Sequence, residues 1–319
     1  MAASKPTFAA NESKKSFGFR LKKDLRRNYS LYLLIIPVLL FYTYFCYKPM
    51  YGILMSFQDF NFKLGISGSP WVGLKHFDRF FSDPYFARNI INTIKISVAS
   101  IVFGFPAPII LALLINELTK KWFVKTVQTI TYLPHFISLV VICGMITDFV
   151  STNGVISNIV SLISGKPVTE SLLNNPKLFI PIYVISGIWQ QIGWSSIIYL
   201  AALSGVNDEL YEAAEIDGAG RLVQTLSVTI PSILPTIVIM LVLRLGQIMG
   251  VGYEKIMLLT NSFNAEASEV LSYYVYKKGI QGGEYSLATA AGLFNSVINF
   301  VFVIAVNTIS RKLTESSLW

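Results

Sequence analysis

Five side chains with hydrogen-bonding or stacking capacity interrupt long apolar stretches in the second half of the chain. Gln190, Gln191 and Trp194 fall in one uncharged run, and Arg244 and Gln247 lie about one helical turn apart in the next. Carboxamides form paired hydrogen bonds with hydroxyl groups, and an indole ring stacks on the face of a pyranose. A guanidinium binds a carboxylate through two parallel hydrogen bonds. These residue types suit the binding of a polyhydroxylated solute.

The stretches that carry these side chains are long enough to cross a bilayer. Of 319 residues only 14% are charged and 53% are hydrophobic, with a mean hydropathy of +0.55. Soluble domains have about 25% charged residues, and a spanning helix needs about 20 mostly apolar ones. Five runs lack Lys, Arg, Asp and Glu, and a sixth carries one charge: 31–47, 96–115, 126–147, 178–206, 285–310 and 233–249. This pattern favours an all-α integral membrane protein over a large soluble protein.

The sequence predicts six transmembrane helices, at about 30–57, 89–116, 126–149, 177–203, 233–251 and 285–309. Positive charge next to a span stays on the cytoplasmic side, and residues 1–29 are rich in Lys and Arg. Both termini are therefore expected in the cytoplasm. We expect a basic tail over 1–29 with a surface helix near 17–28, a six-span domain over 30–310 and a second tail over 311–319. The outer segments would be 58–87, 151–176 and a third reaching 283, with a short helix at 267–278.

One predicted cytoplasmic loop, within residues 205–232, departs from the usual charge pattern. Cytoplasmic loops favour Lys and Arg, but residues 207–221 carry five acidic residues and one basic residue. Asn207 is a good N-cap, and Gly218 and Gly220 can end a helix in the left-handed conformation. We expect a helix of about ten residues, about 15 Å long. From the residues alone it is either a rigid contact for a partner protein or an ordinary solvated loop helix.

This loop resembles the "EAA" loop of permease subunits of binding-protein-dependent ABC importers. The family pattern is Glu-Ala-Ala, three residues, Gly, nine residues and Ile-x-Leu-Pro. Here the pattern is met at 212–214, at 218 and at 228–231, with Val228 for Ile and Ile230 for Leu. In the family this helix docks in a cleft on a cytoplasmic ATPase. The resemblance therefore assigns ATPase coupling to five residues: Glu212, Ala213, Ala214, Asp217 and Gly218.

The resemblance covers most of the chain and is closest to the maltose-type carbohydrate permeases, in particular their oligosaccharide and polysaccharide branch. Further segments carry it: Tyr51-Gly52 with Ser56-Phe57, the run 71–74 with Phe77, and Asn92-Thr93. In that family, closure of two ATPases rocks two permease subunits between inward and outward openings. The implied partners are a homologous second permease, two cytoplasmic ATPase subunits, an extracytoplasmic solute-binding protein, an oligosaccharide and the lipid bilayer. The implied location is a bacterial plasma membrane, in which the chain is a multi-pass protein.

Counting along the chain from the motif places the five polar side chains named first where maltose-type permeases contact their sugar. The alternative is interhelical hydrogen bonding that only holds the bundle together. That alternative is favoured for Asn295 and Asn299 in the last predicted span. Arg244 suits an acidic cargo, such as an oligosaccharide with uronates. It also suits a gate residue or a salt bridge to the second permease.

No nucleotide-binding or catalytic motif accompanies these features. The sequence lacks G-x-x-x-x-G-K-[ST], and its Gly-Lys pair at 165–166 precedes a proline. His76 and His135 have no nucleophile or metal-ligand spacing around them, and Cys46 and Cys143 fall inside predicted spans, where packing is expected. We expect no enzyme activity, cofactor or metal in this chain, with ATP and Mg bound at the partner subunits.

Other function classes remain open at this point. Basic residues at a membrane edge are explained by orientation and lipid headgroups, so no nucleic-acid partner is expected. ABC import of another polar solute would use the same motif. An ion-coupled secondary transporter would need an ionisable pair or broken helices in two related halves, and a membrane enzyme would need a catalytic cluster. The sequence displays no ionisable pair, no two related halves with broken helices and no catalytic cluster.

Overall fold

The structure is a computed structural model that describes residues 24–314. In this part of the chain every regular element is helical, apart from one isolated antiparallel bridge between Gln58 and Trp71. The all-α class predicted from the apolar runs is therefore confirmed for the described residues. The predicted surface helix near 17–28 lies mostly outside them, as does the end of the predicted C-terminal tail.

The α-helices are joined by loops and by short π- or 3₁₀-helical turns. The first nine in chain order are α1 (Tyr29–Phe41), α2 (Lys48–Met50), α3 (Gly65–Gly68), α4 (Lys75–Phe81), α5 (Phe86–Gly104), α6 (Pro106–Asn116), α7 (Lys121–Tyr132), α8 (Leu139–Phe149) and α9 (Val155–Ser164). They are followed by α10 (Pro176–Leu203), α11 (Asp208–Ile216), α12 (Arg221–Gln224), α13 (Ile230–Leu245), α14 (Tyr253–Leu259), α15 (Ala265–Ser268), α16 (Leu271–Tyr276) and α17 (Tyr285–Thr314).

Several of these helices are long and apolar enough to cross a membrane. Among the described residues four continuous stretches qualify: Tyr29–Phe57, Phe86–Asn116, Arg221–Leu245 and Tyr285–Lys312. A fifth is obtained if α7 and α8, which meet at an angle of 101°, are taken as one broken span. α10 has a sufficient length of 28 residues but is not among these stretches, and Gln190 and Gln191 lie within it. The multi-pass class is supported by four or five helices, and the number six stays a prediction.

The predicted fifth span differs from the structure in its bounds. It was placed at 233–251, whereas the helical stretch runs from Arg221 to Leu245. The helix begins earlier because a π-turn at Thr225–Thr229 joins α12 to α13, and Pro231 lies in the first turn of α13, where no amide proton is needed. It ends earlier because residues 246–249 form a turn that starts at Gly246.

The predicted helix at 267–278 is interrupted in the structure. α15 ends at Ser268, the backbone of Val270 is extended, and α16 begins at Leu271. The amide of Leu271 donates to Thr93 Oγ1 at 3.0 Å instead of to a carbonyl of the preceding turn. The prediction of one continuous helix was therefore wrong, because this contact from a distant part of the chain replaces a helical hydrogen bond.

The described chain divides into two compact units, one up to Leu54 and one from Met55 onward. In the first unit Asp24 accepts hydrogen bonds from Asn28 Nδ2 at 2.7 Å and from the Tyr32 hydroxyl at 2.5 Å. In the second unit α10 is the central element and packs on α5, α6, α7 and α13. Its start is defined by Pro176 in the first turn and by Asn175, whose Oδ1 accepts from the Lys177 amide at 3.0 Å.

The closest helix approach around α10 depends on a glycine. A Cβ at Gly193 would lie 2.2 Å from the carbonyl oxygen of Thr131 in α7, so any larger residue would push the two helices apart. A buried apolar cluster around Ile142, Phe179 and Ile256 fixes the other end of α10. These contacts hold α10 as the wall on which the polar residues at 190 and 191 are presented.

Candidate functional site

A polar cavity of about 480 Å³ lies beside α10, between α5, α6, α13 and the turn that leads into α14. Four of the five side chains predicted from the sequence line it: Gln190, Gln191, Arg244 and Gln247. Further polar side chains line it as well: Ser97, Ser100, Tyr183, Ser195, Tyr199 and Lys255. Binding pockets for small molecules range from about 300 to 1,000 Å³, and this cavity falls in that range. Four of the five predicted side chains are therefore brought together on one surface.

Three of the predicted side chains are left without a protein partner. Gln190, Arg244 and Gln247 form no side-chain hydrogen bond or ion pair with any described residue. Gln190 is 8% exposed, whereas Arg244 and Gln247 are exposed and open to solvent or to a ligand in the cavity. Side chains without interhelical partners are available to a solute, whereas those of a purely structural network are already engaged. The assignment of these groups to a solute site stays a prediction.

Lys255 is a cavity residue that the sequence analysis missed. It is buried, its Nζ donates to the carbonyl oxygen of Tyr183 at 2.9 Å, and the same atom lies 4.6 Å from the Tyr183 ring centroid. Burial lowers the pKa of Lys255 to about 8. The available signal was a lysine just before the apolar run 256–259, but it follows the predicted fifth span and looked like an outer-loop residue.

The charges on the cavity wall have one sign. Arg244 and Lys255 are cationic, and none of the cavity-lining residues in the described chain is an Asp or Glu. Tyr183 contacts Lys255 through its carbonyl and ring, which leaves the remaining ammonium protons available to another acceptor. A cavity with two cations and no carboxylate attracts anionic groups.

Trp194 occupies a different place from the other four predicted side chains. Its ring stacks on His135 with ring centroids 4.4 Å apart and planes inclined by 2°, and it is not among the residues that line the cavity. Gln191 Oε1 lies 2.9 Å from His135 Nδ1, so Gln191 belongs to the cavity wall and to this stack. The arrangement places Trp194 against the turn Leu133–Phe136, where it shares His135 as a contact with Gln191.

Asn299, one of the two asparagines of the last predicted span, forms a packing contact in the structure. Asn299 Oδ1 accepts a hydrogen bond from the backbone amide of Met249 at 3.0 Å, which closes the turn after α13. Neither Asn295 nor Asn299 lines the cavity. Asn299 therefore agrees with the interpretation that these amides hold the bundle together, whereas Asn295 Oδ1 is buried without a hydrogen-bond partner among the described residues.

The acidic loop forms a short, self-contained helix. α11 spans nine residues, close to the predicted ten, and Asn207 Oδ1 accepts from the Glu209 amide at 3.1 Å. At the other end Gly218 has a φ of +81°, and its amide donates to the Glu215 carbonyl at 2.9 Å. Asn207 and Gly218 therefore act as the predicted cap and stop. Gly220 does not end the helix in the left-handed conformation, because its backbone is extended and it is the N-cap of α12.

The surface of this loop is apolar as well as acidic. Glu212, Ala213, Asp217 and Gly218 are exposed and Ala214 is half-buried. Ile216 is 87% exposed and Leu222 is 79% exposed, although both are large apolar side chains. The Tyr211 hydroxyl lies 3.0 Å from Thr229 Oγ1 and joins α11 to the stretch that leads into α13. Exposed apolar groups of this kind are typical of surfaces that contact another protein or a membrane.

The fold is that of a multi-pass membrane protein with a cavity lined by polar side chains and an exposed, capped loop helix. Residues 104–315 match the family described as "Binding-protein-dependent transport system inner membrane component". The chain belongs to this family.

Relatives and solved structures agree with this membership. The chain is 39% identical over 318 residues to the polygalacturonan/rhamnogalacturonan transport system permease protein YteP of Bacillus subtilis (strain 168), covering 99% of this chain and 98% of YteP. It is 40% identical over 296 residues to Protein LplB of the same organism, covering 92% of each. A crystal structure of a bacterial alginate ABC transporter in complex with an alginate pentasaccharide-bound periplasmic protein contains a chain with 43% identity and a TM-score of 0.85, covering 94% of this chain and all of that one.

Proposed function

We propose that this chain is the transmembrane permease subunit of an ATP-driven importer for acidic oligosaccharides. The observation that carries the proposal is the cavity beside α10, which combines Arg244 and Lys255 with unpartnered amides and contains no carboxylate among its described lining residues. Uronate carboxylates would pair with the two cations, and sugar hydroxyls would bond to Gln190 and Gln247. YteP is named for polygalacturonan and rhamnogalacturonan, and the alginate transporter is described as importing an acidic polysaccharide, which supports the same cargo class.

The proposed assembly supplies what this chain lacks. A homologous permease would complete the pathway, two cytoplasmic ATPase subunits would bind ATP and Mg, and an extracytoplasmic solute-binding protein would deliver the sugar. Six spans with both termini in the cytoplasm of a bacterial plasma membrane would place loop 205–232 on the ATPase side. The exposed Ile216 and Leu222 beside Glu212 and Gly218 support this docking role.

The decisive experiment compares two cargoes that differ only in charge. The importer with all its partner subunits is reconstituted in liposomes, and uptake of an alginate pentasaccharide is measured beside its carboxyl-reduced, neutral counterpart. Loss of a charge-assisted hydrogen bond costs about 1.5–3 kcal/mol, so Arg244→Gln should lower uptake of the acidic sugar by at least about tenfold. Uptake of the neutral sugar should change less than about twofold, because its contacts are uncharged.

Arg244→Lys is the matched control, since it keeps the charge and loses the planar fork. It should retain an intermediate preference for the acidic sugar. Equal losses for both cargoes in Arg244→Gln would overturn the acidic-cargo proposal and favour Arg244 as a gate residue or as a contact of the second permease. Import of another polar solute would then become the better description.

A further inference from the structure

A second cavity lies on the same faces of α5 and α10, toward the end of α10 that is remote from loop 205–232. It has a volume of about 730 Å³ and lies between the first half of α5, the start of α10 and α15. Ile96 follows Asn92 by four residues, and Val184 follows Ile180 by the same number. Four residues are about one helical turn, or about 6 Å along the helix axis. Asn92 and Ile180 line the second cavity, and Ile96 and Val184 line the first. The two cavities therefore follow each other along both helices.

The second cavity is basic. Its charged lining residues are Arg88, Lys95 and Lys177 against Glu266 alone. Lys95 and Lys177 are exposed, and neither ammonium forms an ion pair or hydrogen bond with a described residue. Lys95 lies within the apolar stretch Phe86–Asn116, where a charge is costly and usually faces a solute pathway. Two cations are thus left available on the wall of this groove.

The rest of the groove is held rigidly. Arg88 binds Glu269 and stacks on the Tyr85 ring, with its guanidinium carbon 4.5 Å from the ring centroid. Asn92 Nδ2 donates to the carbonyl oxygens of Glu266 and Glu269 at 2.8 and 3.0 Å, which fastens the loop around α15 to α5. Since Arg88 and Asn92 are engaged, the ligand-facing charge comes from Lys95 and Lys177 in a preformed frame.

We propose that this groove, lined by Lys95 and Lys177, is an access subsite that binds the carboxylates of an acidic oligosaccharide one helical turn ahead of the cavity with Arg244 and Lys255. The inference rests on the acidic cargo proposed above. Its charge matches such a cargo, and it lies about one helical turn from the cavity with Arg244 along both α5 and α10. Uronates are spaced along a chain, so one end of the sugar can enter the cavity while another carboxylate stays in the groove.

Exposed cations act mainly on capture, and their effect is screened by salt. The double variant Lys95→Gln/Lys177→Gln should lower uptake of the alginate pentasaccharide at subsaturating loaded binding protein by about three- to tenfold at low salt. Uptake at saturation should change by less than about twofold, and so should uptake of the carboxyl-reduced sugar. Added salt should shrink the difference between variant and wild type.

Two control variants define the effect. Lys95→Arg/Lys177→Arg keeps both charges and should restore uptake of the acidic sugar. Lys166→Gln removes an exposed lysine that lines neither cavity and should leave uptake unchanged. Basal ATP hydrolysis by each purified complex reports whether the variants fold and assemble.

Several results would overturn the inference. Unchanged uptake of the acidic sugar in an assembled double variant would do so. Equal loss for acidic and neutral sugars, together with weaker binding of the solute-binding protein, would make the groove a protein contact. A loss seen only when phosphatidylglycerol is added to phosphatidylcholine liposomes would make it a lipid headgroup site. If Arg244→Gln separates the two cargoes and the lysine variants do not, the access subsite fails while the proposed function stands.

Discussion

The cavity beside α10 and the loop around α11 are both polar, but they differ in which groups have partners and which are left exposed. In the loop the backbone is satisfied locally by Asn207 and Gly218, and large apolar side chains such as Ile216 are left outside. In the cavity Arg244 and Gln190 have no side-chain partner among the described residues, on a wall assembled from distant parts of the chain. A surface that offers apolar groups on a rigid support suits a protein partner. An interior that offers unpaired polar groups suits a small polar ligand.

The largest expected effect comes from reversing charge on the loop. Glu212→Lys should abolish co-purification of the ATPase subunits and reduce uptake of every cargo to background, because the loop is proposed as the contact that transmits ATP-driven motion. Gly218→Pro should do the same by removing the left-handed helix stop at φ +81°. Pull-down of the ATPase from detergent extracts checks both.

Glu170→Lys makes the same charge change at an exposed position outside the loop and is the matched control. It should leave the ATPase bound. Retention of ATPase binding by both loop variants would remove the contrast between a partner surface and a ligand cavity.

The next effect is on stability and concerns the wall that supports the cavity. Gly193→Ala would place a Cβ 2.2 Å from the Thr131 carbonyl oxygen, so α7 and α10 must separate. Overpacking of this kind costs about 1–3 kcal/mol. The thermal midpoint of the purified complex should fall, and uptake of acidic and neutral sugars should fall together.

Gly144→Ala is the control for this prediction, since a Cβ there meets no atom within 4 Å. Its thermal midpoint should stay at or above that of wild type. A Gly193→Ala complex as stable as Gly144→Ala would contradict the close helix approach.

A smaller effect is expected from pH, through Lys255. Its pKa of about 8 means that the ammonium is about 90% charged at pH 7 and about 10% charged at pH 9. Because the pKa is lowered, the cation is lost as pH rises, and uptake of an acidic sugar should fall over this range while neutral uptake stays flat. Lys255→Met should remove the difference between the two pH profiles.

Arg244→Lys is the control, since it changes the other cation of the cavity and leaves Lys255 intact. Its uptake of acidic sugar should still fall as the pH rises. An unchanged difference between the acidic and neutral profiles in Lys255→Met would show that another group titrates. The cavity would then lose one of its two proposed carboxylate contacts.

The smallest effect separates a packing amide from a ligand amide. Asn299→Ala removes the bond to the Met249 amide and should cost about 0.5–1.5 kcal/mol of stability with little change in cargo preference. Gln247→Ala removes an unpartnered amide and should lower uptake without lowering the thermal midpoint. Lower uptake without destabilisation in Asn299→Ala, together with a lower thermal midpoint in Gln247→Ala, would make Asn299 the ligand amide and Gln247 the packing amide.

The loop could be predicted from the sequence because its structure is local. Asn207, the acidic first turn and Gly218 specify a capped helix within a dozen residues, and the structure has that helix. The all-α class followed in the same way from the length of the apolar runs. The break at 269–270 could not be predicted, because it depends on Thr93, which is remote in the sequence.

The cavity could be predicted only in part. Gln190, Gln191, Arg244 and Gln247 stood out because polar groups are rare in apolar runs, and they do converge. Lys255 was missed because its burial depends on how the segment after Gly252 packs against Tyr183. Trp194 shares a helix face with Gln190 and Gln191, which is why it was grouped with them, but its ring stacks on His135 and does not line the cavity.

The most direct test of the central claim is a cryo-EM structure of the full importer, trapped during ATP hydrolysis with an alginate pentasaccharide. The account predicts sugar density in the cavity beside α10, with a carboxylate within hydrogen-bonding distance of the Arg244 guanidinium and a second one near Lys255. Sugar density elsewhere in the membrane domain, or in this cavity with every carboxylate turned away from both cations, would contradict it.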